Sequence, residues 1–347
     1  MTVLRRFVSS QEAKPPFFVG IDLGGTSIKV GVVDDLGRSL SWHSIPTAVE
    51  HGAEDAARRM GQAVLKAVSE AGVSLQQVGR VGLGSPGTMD IPAGMLLQPV
   101  NLKGWNDFPI RDRVSHHCDL PVSFTNDAAA AAYGEFWVGS GRDHHSLVLL
   151  TLGTGIGCGI IIGDLSIDGE HSHGAECGHI IIDCNENARM CGCGQTGHLE
   201  AYASATAVVK RTEESLAEGR TSSITDRIKG GSQLTPKLIA EEAEQGDALA
   251  TEIVMDTARY LGIGIVSVIH TVDPNGVLLG GAMTFGGNGS ELGRRFLARV
   301  KEEVQRRAFP VLAAKTSIDF ALLGGDAGYI GAAGIARVDY QKLAAKR

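Results

Sequence analysis

The amino-acid sequence predicts an α/β protein of two domains. Strand-like and helix-like segments alternate along the chain, which is typical of α/β folds. The length of 347 residues suits two domains of ordinary size. In addition, the pattern Gly25-Thr26-x-Ile28-x-x-Gly31 recurs as Gly153-Thr154-x-Ile156-x-x-Gly159. Each copy predicts two apolar strands joined by a Gly/Thr turn.

Composition excludes several classes of protein. The content of 43% hydrophobic residues, 20% charged residues and 46 glycines indicates a soluble globular chain with many tight turns. A net charge of -7 disfavours a nucleic-acid surface. We find no signal h-region and no run of 18 unbroken apolar residues, so we expect no membrane segment and a cytoplasmic location. The six cysteines are then expected to be thiols or metal ligands.

Apolar periodicity and turn residues place the elements of the first domain. Residues 1–16 are expected to form a flexible tail. The following segments are predicted in order: a hairpin over 17–34, a sheet continuation over 39–45, a helix over 54–71, a strand over 78–83, a strand over 121–125 and a helix over 128–136.

The remainder of the chain predicts a second domain with the same alternation. The segments are a hairpin over 147–163, a strand over 180–183, a helix over 199–217, two helices around Gly246 within 236–271, a buried strand over 276–281, a helix over 291–307, a strand over 317–322 and a closing helix over 327–336. We place the domains at residues 17–132 and 133–326, and expect a C-terminal helix, about 327–345, to pack back on the first domain.

A glycine-rich segment, Gly82-Leu83-Gly84-Ser85-Pro86-Gly87, formally matches the dinucleotide fingerprint after a strand. The residues that follow contain Pro92, Gly94 and Pro99 and show no helical period. Without a helix N-terminus there is nothing for a pyrophosphate to lie on. We therefore reject the dinucleotide interpretation.

The two Gly/Thr turns predict a phosphate-binding site. Successive backbone N–H groups at such turns bind anions without a lysine, and the sequence has no Gly-x-x-x-x-Gly-Lys-Ser/Thr motif. The phosphate charge would then be met by backbone amides, by the Thr26 and Thr154 hydroxyls and by Mg²⁺. Asp22 could orient this ion, or it could simply cap the turn.

Asp127 is the candidate general base. Phosphoryl transfer to an alcohol requires a carboxylate that accepts the hydroxyl proton. An Asn-Asp pair before a helix is also a common N-cap, which is the structural alternative for Asn126-Asp127.

A loop rich in Gly, His and Cys follows the second hairpin. Glu176 and Glu200 could accept hydroxyl pairs of a sugar, which gives specificity because an analogue lacking a hydroxyl leaves a buried acceptor unpaired. A solvated loop is the alternative. Two thiols and two imidazoles in the same region have the composition of a closed zinc site, although the Cys spacing is tighter than in ordinary zinc fingers. The candidate ligands are His179, Cys191, Cys193 and His198, and Cys184 could replace one of them.

Together these motifs resemble the ROK family of sugar kinases, whose fold has two ribonuclease H-like (actin-like ATPase) domains and an interdomain cleft. The resemblance covers about residues 17–336. It rests on residues 22–26, 85–87, 101–105, 126–127, 152–157, 176–179, 191–200 and 279–281.

The resemblance implies ATP-dependent phosphorylation of the C6 hydroxyl of a hexose, with glucose first and fructose, mannose, N-acetylglucosamine or N-acetylmannosamine as alternatives. It also implies Mg²⁺, a structural Zn²⁺ and a homodimer or higher homo-oligomer. Asp127 would be the base. ATP would contact Asp22, Gly24, Gly25, Thr26, Gly153, Thr154, Gly155, Gly280 and Gly281. The sugar would contact Gly87, Asn101, Asn126, Asp127, Glu176, His179 and Glu200.

Two residues depart from the family pattern. Ala175 stands where the family usually has Gly, and His198 stands where it has a third Cys. The first departure could alter the loop backbone, whereas the second keeps a zinc donor. Some family members are repressors with an N-terminal helix-turn-helix domain; about sixteen residues precede the first strand here, so we expect an enzyme and not a sugar-sensing regulator. Polyphosphate remains open as an alternative donor.

Overall fold

The computed structural model describes residues 7–99 and 101–346. The strands are β1 Phe17–Leu23, β2 Ser27–Val33, β3 Ser39–Pro46, β4 Val78–Ser85, β5 Met89–Asp90, β6 Met95–Leu96, β7 Val122–Asn126, β8 Ser146–Leu152, β9 Ile156–Ile162, β10 Leu165–Ser166, β11 Gly276–Gly281 and β12 Ser317–Phe320. The helices are α1 Ala53–Glu70, α2 Ile110–Cys118, α3 Asp127–Val138, α4 Glu200–Ala203, α5 Ala205–Ala217, α6 Ile224–Lys229, α7 Pro236–Glu244, α8 Ala248–Val272, α9 Glu291–Arg307, α10 Pro310–Lys315 and α11 Ala327–Ala344.

Both five-stranded sheets have the same strand order. The first is β3-β2-β1-β4-β7 and the second is β10-β9-β8-β11-β12. In the first sheet, β1, β2 and β3 pair antiparallel, whereas β4 and β7 continue the sheet parallel to β1. In the second, β11 pairs parallel with both β8 and β12. The repeated Gly/Thr pattern of the sequence therefore marks the β1-β2 and β8-β9 turns of two related sheets.

The chain divides into two compact units with boundaries other than those predicted. Of the described residues, the first unit comprises 7–99, 101–144, 159–175 and 322–346, and the second comprises 145–158 and 176–321. The predicted boundary at 132/133 falls inside α3, which runs unbroken from Asp127 to Val138 and packs on α11. An alanine-rich helix carries no sequence mark of a boundary, so the prediction placed it too early.

The predicted tail, residues 1–16, is anchored where the structure describes it. The Val8 N–H donates to the Ser39 carbonyl over 2.9 Å. The Lys14 N–H donates to Asp34 Oδ2 over 3.0 Å. Residues 1–6 of this segment lie outside the described residues. The part from Val8 to Lys14 is thus attached to the first unit, contrary to the expected flexibility.

The first sheet is covered on both faces. Alternate residues of β1 point to opposite faces, so Val19 and Ile21 join a core with α1, while Phe18 joins a second core with α11. The helix α11 approaches the sheet closely at two glycines. A methyl group on Gly20 would lie 1.7 Å from the Tyr329 carbonyl oxygen, and one on Gly82 would lie 1.8 Å from that of Ala332.

This packing explains the apparent dinucleotide fingerprint. Gly82 allows the backbone of α11 to approach the sheet. Gly84 faces α3, and a methyl on Gly84 would lie 3.1 Å from the Ala130 methyl. The short hairpin β5-β6 follows, and not a helix. The glycines therefore serve close helix–sheet packing, in agreement with the rejection of a nucleotide interpretation for this segment.

The second unit is built around the long helix α8. It packs against α4, α5, α7 and α9. By length and composition alone α8 could cross a bilayer, but 61% of its apolar stretch is buried within the structure. Such burial is typical of the core helix of a globular unit.

Two predicted segments of the second unit differ from the structure. The helix expected over 199–217 is split into α4 and α5, because Ser204 is extended and caps α5 by accepting the Ala207 N–H. The strand expected over 180–183 is reduced to one bridge between Ile181 and His198. The two helices expected around Gly246 are confirmed as α7 and α8.

Candidate functional site

The carboxyl ends of β1, β4 and β7 lie along one edge of the first sheet. The register aligns Asp22 with Gly84 and Gly84 with Thr125. The segments that follow these strands therefore emerge at the same edge, where parallel sheets commonly bind ligands. They include the first Gly/Thr turn (the first tip, residues 24–26), Gly87 and Asp127.

The first tip is a tight hairpin turn with an exposed surface. The Gly24 N–H donates to the Ser27 carbonyl over 3.0 Å, and Gly25 and Thr26 are exposed. The turn is supported from behind by Thr47, whose Oγ1 donates to the Gly24 carbonyl over 2.6 Å and whose N–H donates to the Thr26 carbonyl over 3.0 Å. This support leaves the outer face of the tip available to an anion.

Asp22 is paired with a lysine that sequence reasoning missed. Lys29 Nζ donates to Asp22 Oδ2 over 3.1 Å and to the Gly325 carbonyl over 2.9 Å. The antiparallel register places Asp22 directly opposite Lys29, so the hairpin pattern of the sequence already contained the pairing. The Asp22 side chain also lies against the first turn of α11, since a methyl on Gly328 would be 2.5 Å from its Cγ.

Asn126 and Asp127 begin α3. Asn126 is the N-cap, because its Oδ1 accepts the N–H groups of Ala128 at 2.8 Å and Ala129 at 3.2 Å. Asp127 is the first helical residue and is partly exposed. Of the Asn-Asp pair, Asn126 is therefore the N-cap that the sequence offered as an alternative. Asp127 follows it as the first helical residue, next to the ends of β1 and β4.

The two weaker sugar-site candidates lie in the first unit as well. Gly87 has φ of +94°, a conformation that L side chains rarely adopt. Asn101 lies beside the first tip, because a methyl on Gly25 would be 3.5 Å from the Asn101 carbonyl oxygen. The structure therefore brings Asn101 close to the tip residues.

The second Gly/Thr turn (the second tip, residues 153–155) follows the carboxyl end of β8. The Gly153 N–H donates to the Gly155 carbonyl over 3.0 Å. The parallel register aligns Thr151 with Gly280 and Leu152 with Gly281, so the predicted nucleotide residues of the second unit occupy one edge. Gly281 has φ of +87°, and a methyl there would lie 2.3 Å from the Leu152 carbonyl oxygen.

A cavity of about 270 Å³ opens next to Gly281. One wall is α7 and the other is the segment that follows β11. The lining residues are Pro236, Lys237, Ala240, Glu241, Glu244, Ala282, Met283, Phe285 and Gly286. The mixed apolar and polar lining suits a small organic ligand, and sequence reasoning identified only the glycine pair at its edge.

Glu200 contacts the second tip directly. Its Oε2 accepts the Ile156 N–H over 2.8 Å, and a methyl on Gly155 would lie 2.3 Å from the same oxygen. Its Oε1 lies 3.7 Å from Cys191 Sγ. The carboxylate therefore lies between the tip and the Cys/His loop (residues 176–199).

Glu176 and His179 occupy one turn of the Cys/His loop. The His179 N–H donates to the Glu176 carbonyl over 3.0 Å, and Nε2 of the imidazole lies 4.0 Å from Glu176 Oε2. Ala175, which precedes this turn, has φ of +62°. The departure from the family's Gly therefore keeps the left-handed backbone, at a cost of about 1 kcal/mol.

Four side chains of the loop form a compact group of possible metal ligands. One donor atom from each of His179, Cys191, Cys193 and His198 lies within 4.8 Å of all the others. The two imidazole Nδ1 atoms are 3.2 Å apart, Cys193 Sγ is 3.3 Å from His198 Nδ1, and Cys191 Sγ is 3.8 Å from His179 Nδ1. Among the described residues, Cys184 lies outside this group.

The spacing of these atoms fits a tetrahedral metal ion. Ligands about 2.0 to 2.3 Å from one zinc ion are about 3.3 to 3.8 Å from each other. Burial lowers the pKa of His198, which favours the neutral imidazole that binds metals. Burial also raises the pKa of Cys191 to about 11, so a bound cation would have to displace the thiol proton. His179 presents Nδ1 to the group, which leaves Nε2 facing Glu176.

The predicted site residues are thus distributed over both units. Those of the first unit are Asp22, Gly24, Gly25, Thr26, Gly87, Asn101, Asn126 and Asp127. Those of the second unit are Gly153, Thr154, Gly155, Glu176, His179, Cys191, Cys193, His198, Glu200, Gly280 and Gly281.

Comparison with known proteins agrees with this arrangement. The model of the ROK family matches residues 18–338. The chain is 33% identical to a glucokinase of Halalkalibacterium halodurans over 91% of this chain and 93% of that protein.

Solved structures of the same family are similar throughout. A ROK hexokinase from Thermus thermophilus has a TM-score of 0.79 and 32% identity, covering 94% of this chain and 99% of that one. A ROK family glucokinase from Streptomyces griseus, in complex with glucose and AMPPNP, has a TM-score of 0.73 and 34% identity, covering 93% and 99%. The expected class, two ribonuclease H-like (actin-like ATPase) domains, is confirmed, and the chain belongs to the ROK family.

Proposed function

We propose that the protein is an ATP-dependent sugar kinase that transfers the γ-phosphoryl group to the C6 hydroxyl of glucose. The observation that carries the proposal is the position of Asp127. It begins α3 at the carboxyl end of β7, on the sheet edge that also carries the first tip. A carboxylate and an anion-binding turn on one edge are the two elements that phosphoryl transfer to an alcohol requires.

ATP would be held by the residues that the family resemblance assigns to it. The amides of the two tips and the hydroxyls of Thr26 and Thr154 would donate to phosphate oxygens. The adenosine would occupy the cavity beside Gly280 and Gly281. Mg²⁺, which spreads the phosphate charge when bound, would be oriented by Asp22, and the neighbouring Lys29 adds a second positive charge.

The sugar would be recognised by groups that hydrogen-bond its hydroxyls. The Glu176 and Glu200 carboxylates would accept hydroxyl protons, and His179, whose Nδ1 would bind the metal, would donate from its Nε2–H. Asn126, Asn101 and the backbone at Gly87 would also contact the ring. Asp127 would take the C6 hydroxyl proton while that oxygen attacks the γ-phosphorus and the bond to the ADP oxygen breaks. The products are glucose 6-phosphate and ADP.

The Cys/His loop would bind one Zn²⁺ through His179, Cys191, Cys193 and His198. The ion would fix the loop that carries Glu176, so its effect on the reaction would be indirect. Purified protein should contain about one zinc per chain, and Cys191→Ser should lose both zinc and stability. Zinc well below one per chain, or a variant unchanged in both respects, would refute this part of the proposal.

A homodimer in the cytoplasm is the expected working form. The family resemblance supports the dimer, and ATP as the phosphoryl donor supports the cytoplasmic site. Light scattering of the purified protein gives the mass in solution, and a monomer mass would contradict the dimer.

The decisive experiment is Asp127→Asn, assayed by ADP release with glucose, fructose, mannose, N-acetylglucosamine and N-acetylmannosamine. We expect glucose to be the best substrate and the variant to lose turnover by a factor of about 100 or more while it retains sugar binding. Asp112→Asn, on the exposed face of α2, is the control and should match the wild type. Turnover of Asp127→Asn within a few-fold of the wild type would exclude Asp127 as the base, and a second assay with polyphosphate tests the donor.

A further inference from the structure

The short segment 200–206, which contains α4 and the start of α5, contacts the second tip on one side. Glu200 Oε2 accepts the Ile156 N–H over 2.8 Å. The Ala205 N–H donates to the Gly153 carbonyl over 2.9 Å, and Thr206 Oγ1 donates to the Thr154 carbonyl over 2.8 Å. The geometry of the tip is therefore set by where this segment lies.

The same segment is bound to the Cys/His loop on its other side. The Tyr202 hydroxyl accepts the Arg189 N–H over 2.8 Å and donates to Asp183 Oδ2 over 2.6 Å. Arg189 Nε donates to the Ala201 carbonyl over 3.2 Å, and the Arg189 carbonyl accepts the Gly197 N–H over 2.9 Å. Arg189 thus contributes its backbone N–H and its side chain to the connection, and its backbone carbonyl to a hydrogen bond within the loop.

The rest of the Arg189 guanidinium extends the connection to α5. Its two terminal nitrogens each donate to one oxygen of Glu214 over 2.8 Å, a bidentate geometry. Glu214 lies on α5, whose first residues hold the second tip. Hydrogen bonding to Arg189 lowers the pKa of Glu214, which keeps the pair charged at neutral pH. The arginine therefore fixes both α4 and α5 relative to the loop.

We propose that Arg189 is a positioning residue that holds the metal-binding loop and the phosphate-binding second tip in one geometry, so that sugar and ATP sites depend on each other. The proposal rests on the proposed function for the identity of the two ligands. The connection itself consists of hydrogen bonds within the second unit. Arg189 touches neither the donor atoms of the metal group nor the outer face of the tip.

The test is Arg189→Met, with Arg220→Met as the matched control. Arg220 forms the same bidentate pair with Glu252, over 2.6 and 2.7 Å, but it does not contact the loop or the tip. We expect Arg189→Met to lower kcat/KM by about tenfold for both glucose and ATP, while Arg220→Met leaves both values near the wild type. Equal kinetic constants for the two variants would overturn the proposal.

A second set of variants separates positioning from folding. Glu214→Gln should give part of the same loss, and the double variant with Arg189→Met should lose less than the sum of the two single losses, because both remove one interaction. Arg189→Lys, which keeps the charge but not the bidentate fork, should recover part of the activity. Additive losses, or no recovery with lysine at full zinc content, would contradict the role.

Amide hydrogen exchange tests the connection without any substrate. In Arg189→Met, peptides covering residues 146–157 should exchange faster than in the wild type, and those in Arg220→Met should not. Hydrogen exchange therefore tests the positioning role of Arg189 separately from the proposed kinase function. If the wild type phosphorylates none of the sugars, the proposed function fails, but faster exchange at the tip still supports the connection; unchanged exchange in a folded Arg189→Met or Glu214→Gln variant refutes it.

Discussion

The two Gly/Thr tips are closed by different hydrogen bonds and have different supports. The Gly24 N–H donates to the Ser27 carbonyl in the first tip, and the Gly153 N–H donates to the Gly155 carbonyl in the second. The first tip is supported by a side chain from the end of the sheet, the Thr47 hydroxyl, which is fully buried. The second tip is supported by backbone and side-chain groups at the start of α5 and by the Glu200 carboxylate. The repeated sequence pattern thus specifies a hairpin in each unit, whereas the groups that support the turn come from other segments and differ between the units.

The tips also differ in charge. The first has a cation beside it, since Lys29 pairs with Asp22 at the base of the hairpin. The second has a carboxylate beside it, Glu200, whose Oε2 accepts the Ile156 N–H at the base of the turn. The first tip therefore has an ammonium group that is paired with Asp22 at its base, and the second tip has the carboxylate that we propose to contact the sugar.

Each unit also has an Arg–Glu pair near its tip, and the two pairs join different elements. Glu54 of α1 accepts from Arg113 of α2 over 2.6 and 2.7 Å, and Arg59 of α1 donates to the Pro46 carbonyl, next to Thr47. In the second unit, Arg189 and Glu214 connect the loop to α5. In each unit, therefore, an Arg–Glu pair attaches a helix to a neighbouring segment; α1 contacts the support of the first tip, and α5 contacts the second tip itself.

Removing the cation from the first tip should have the largest effect. Lys29→Met leaves Asp22 without its ammonium partner at the base of the tip, so we expect kcat to fall by about 100-fold. Steady-state kinetics at saturating sugar and Mg²⁺ measure the change. Lys66→Met, which removes an exposed pair with Glu70 on α1, is the control. A Lys29→Met enzyme with normal turnover would show that the charge difference between the tips is unimportant.

Crowding Glu200 should break the link between the second tip and the sugar. In Gly155→Ala the new methyl would lie 2.3 Å from Glu200 Oε2, so the carboxylate must move, and we expect KM for glucose to rise about tenfold. Gly289→Ala, where no atom lies within 4 Å of the new methyl, is the control. Unchanged glucose KM in Gly155→Ala would remove Glu200 from the sugar site.

A matched pair of threonine variants compares the two supports directly. Thr47→Val leaves the Gly24 carbonyl without its buried donor and should lower the free energy of unfolding by about 1 to 3 kcal/mol. Thr206→Val removes an exposed donor to the Thr154 carbonyl and should cost less than about 1 kcal/mol. Urea unfolding of both variants measures the difference. The reverse order would show that the second tip depends more on its side-chain support than the first.

The smallest effect is expected from Glu54→Gln, whose effect on stability should disappear in acid. Hydrogen bonds, first from Arg113 and then from His117, lower the pKa of Glu54 from 4.5 to about 2. Because the folded-state pKa is depressed, the stabilisation is complete above about pH 4.5 and is lost as the pH falls towards 2. Glu54→Gln should therefore unfold at a lower temperature than the wild type at pH 6, and the two melting temperatures should converge near pH 2. A constant difference would show that Glu54 contributes through packing and not through its charge.

Much of the fold could be predicted from local sequence. Strand alternation and Gly/Thr turns predicted both hairpins, and the Asn-Asp pair was placed correctly at a strand end before α3. The Lys29 partner of Asp22 could also have been predicted, because a two-residue turn at Gly25-Thr26 implies that residues 22 and 29 face each other.

Other features depend on contacts that no local pattern encodes. Arg189 and Glu214 lie on different elements, and nothing in their flanking residues indicates that they pair. The true boundary between the units is set by α3 packing on α11, two helices far apart in the chain. The cavity beside Gly281 is walled by α7, which the sequence presents only as an amphipathic helix.

The close packing of α11 on Gly20 and Gly82 has a consequence for synthesis. The first sheet can complete the burial of its second face only when α11 joins α3 there, and the ribosome makes α11 after the whole second unit. At about 5 to 20 residues per second, on the order of ten seconds or longer pass before Phe18 and Val33 gain their α11 partners Tyr329 and Ala333. The second unit, whose segments after β9 are all made in one stretch from 176 to 321, can fold in that interval. The chain order therefore lets the inner unit mature first and makes α11 the last step of assembly.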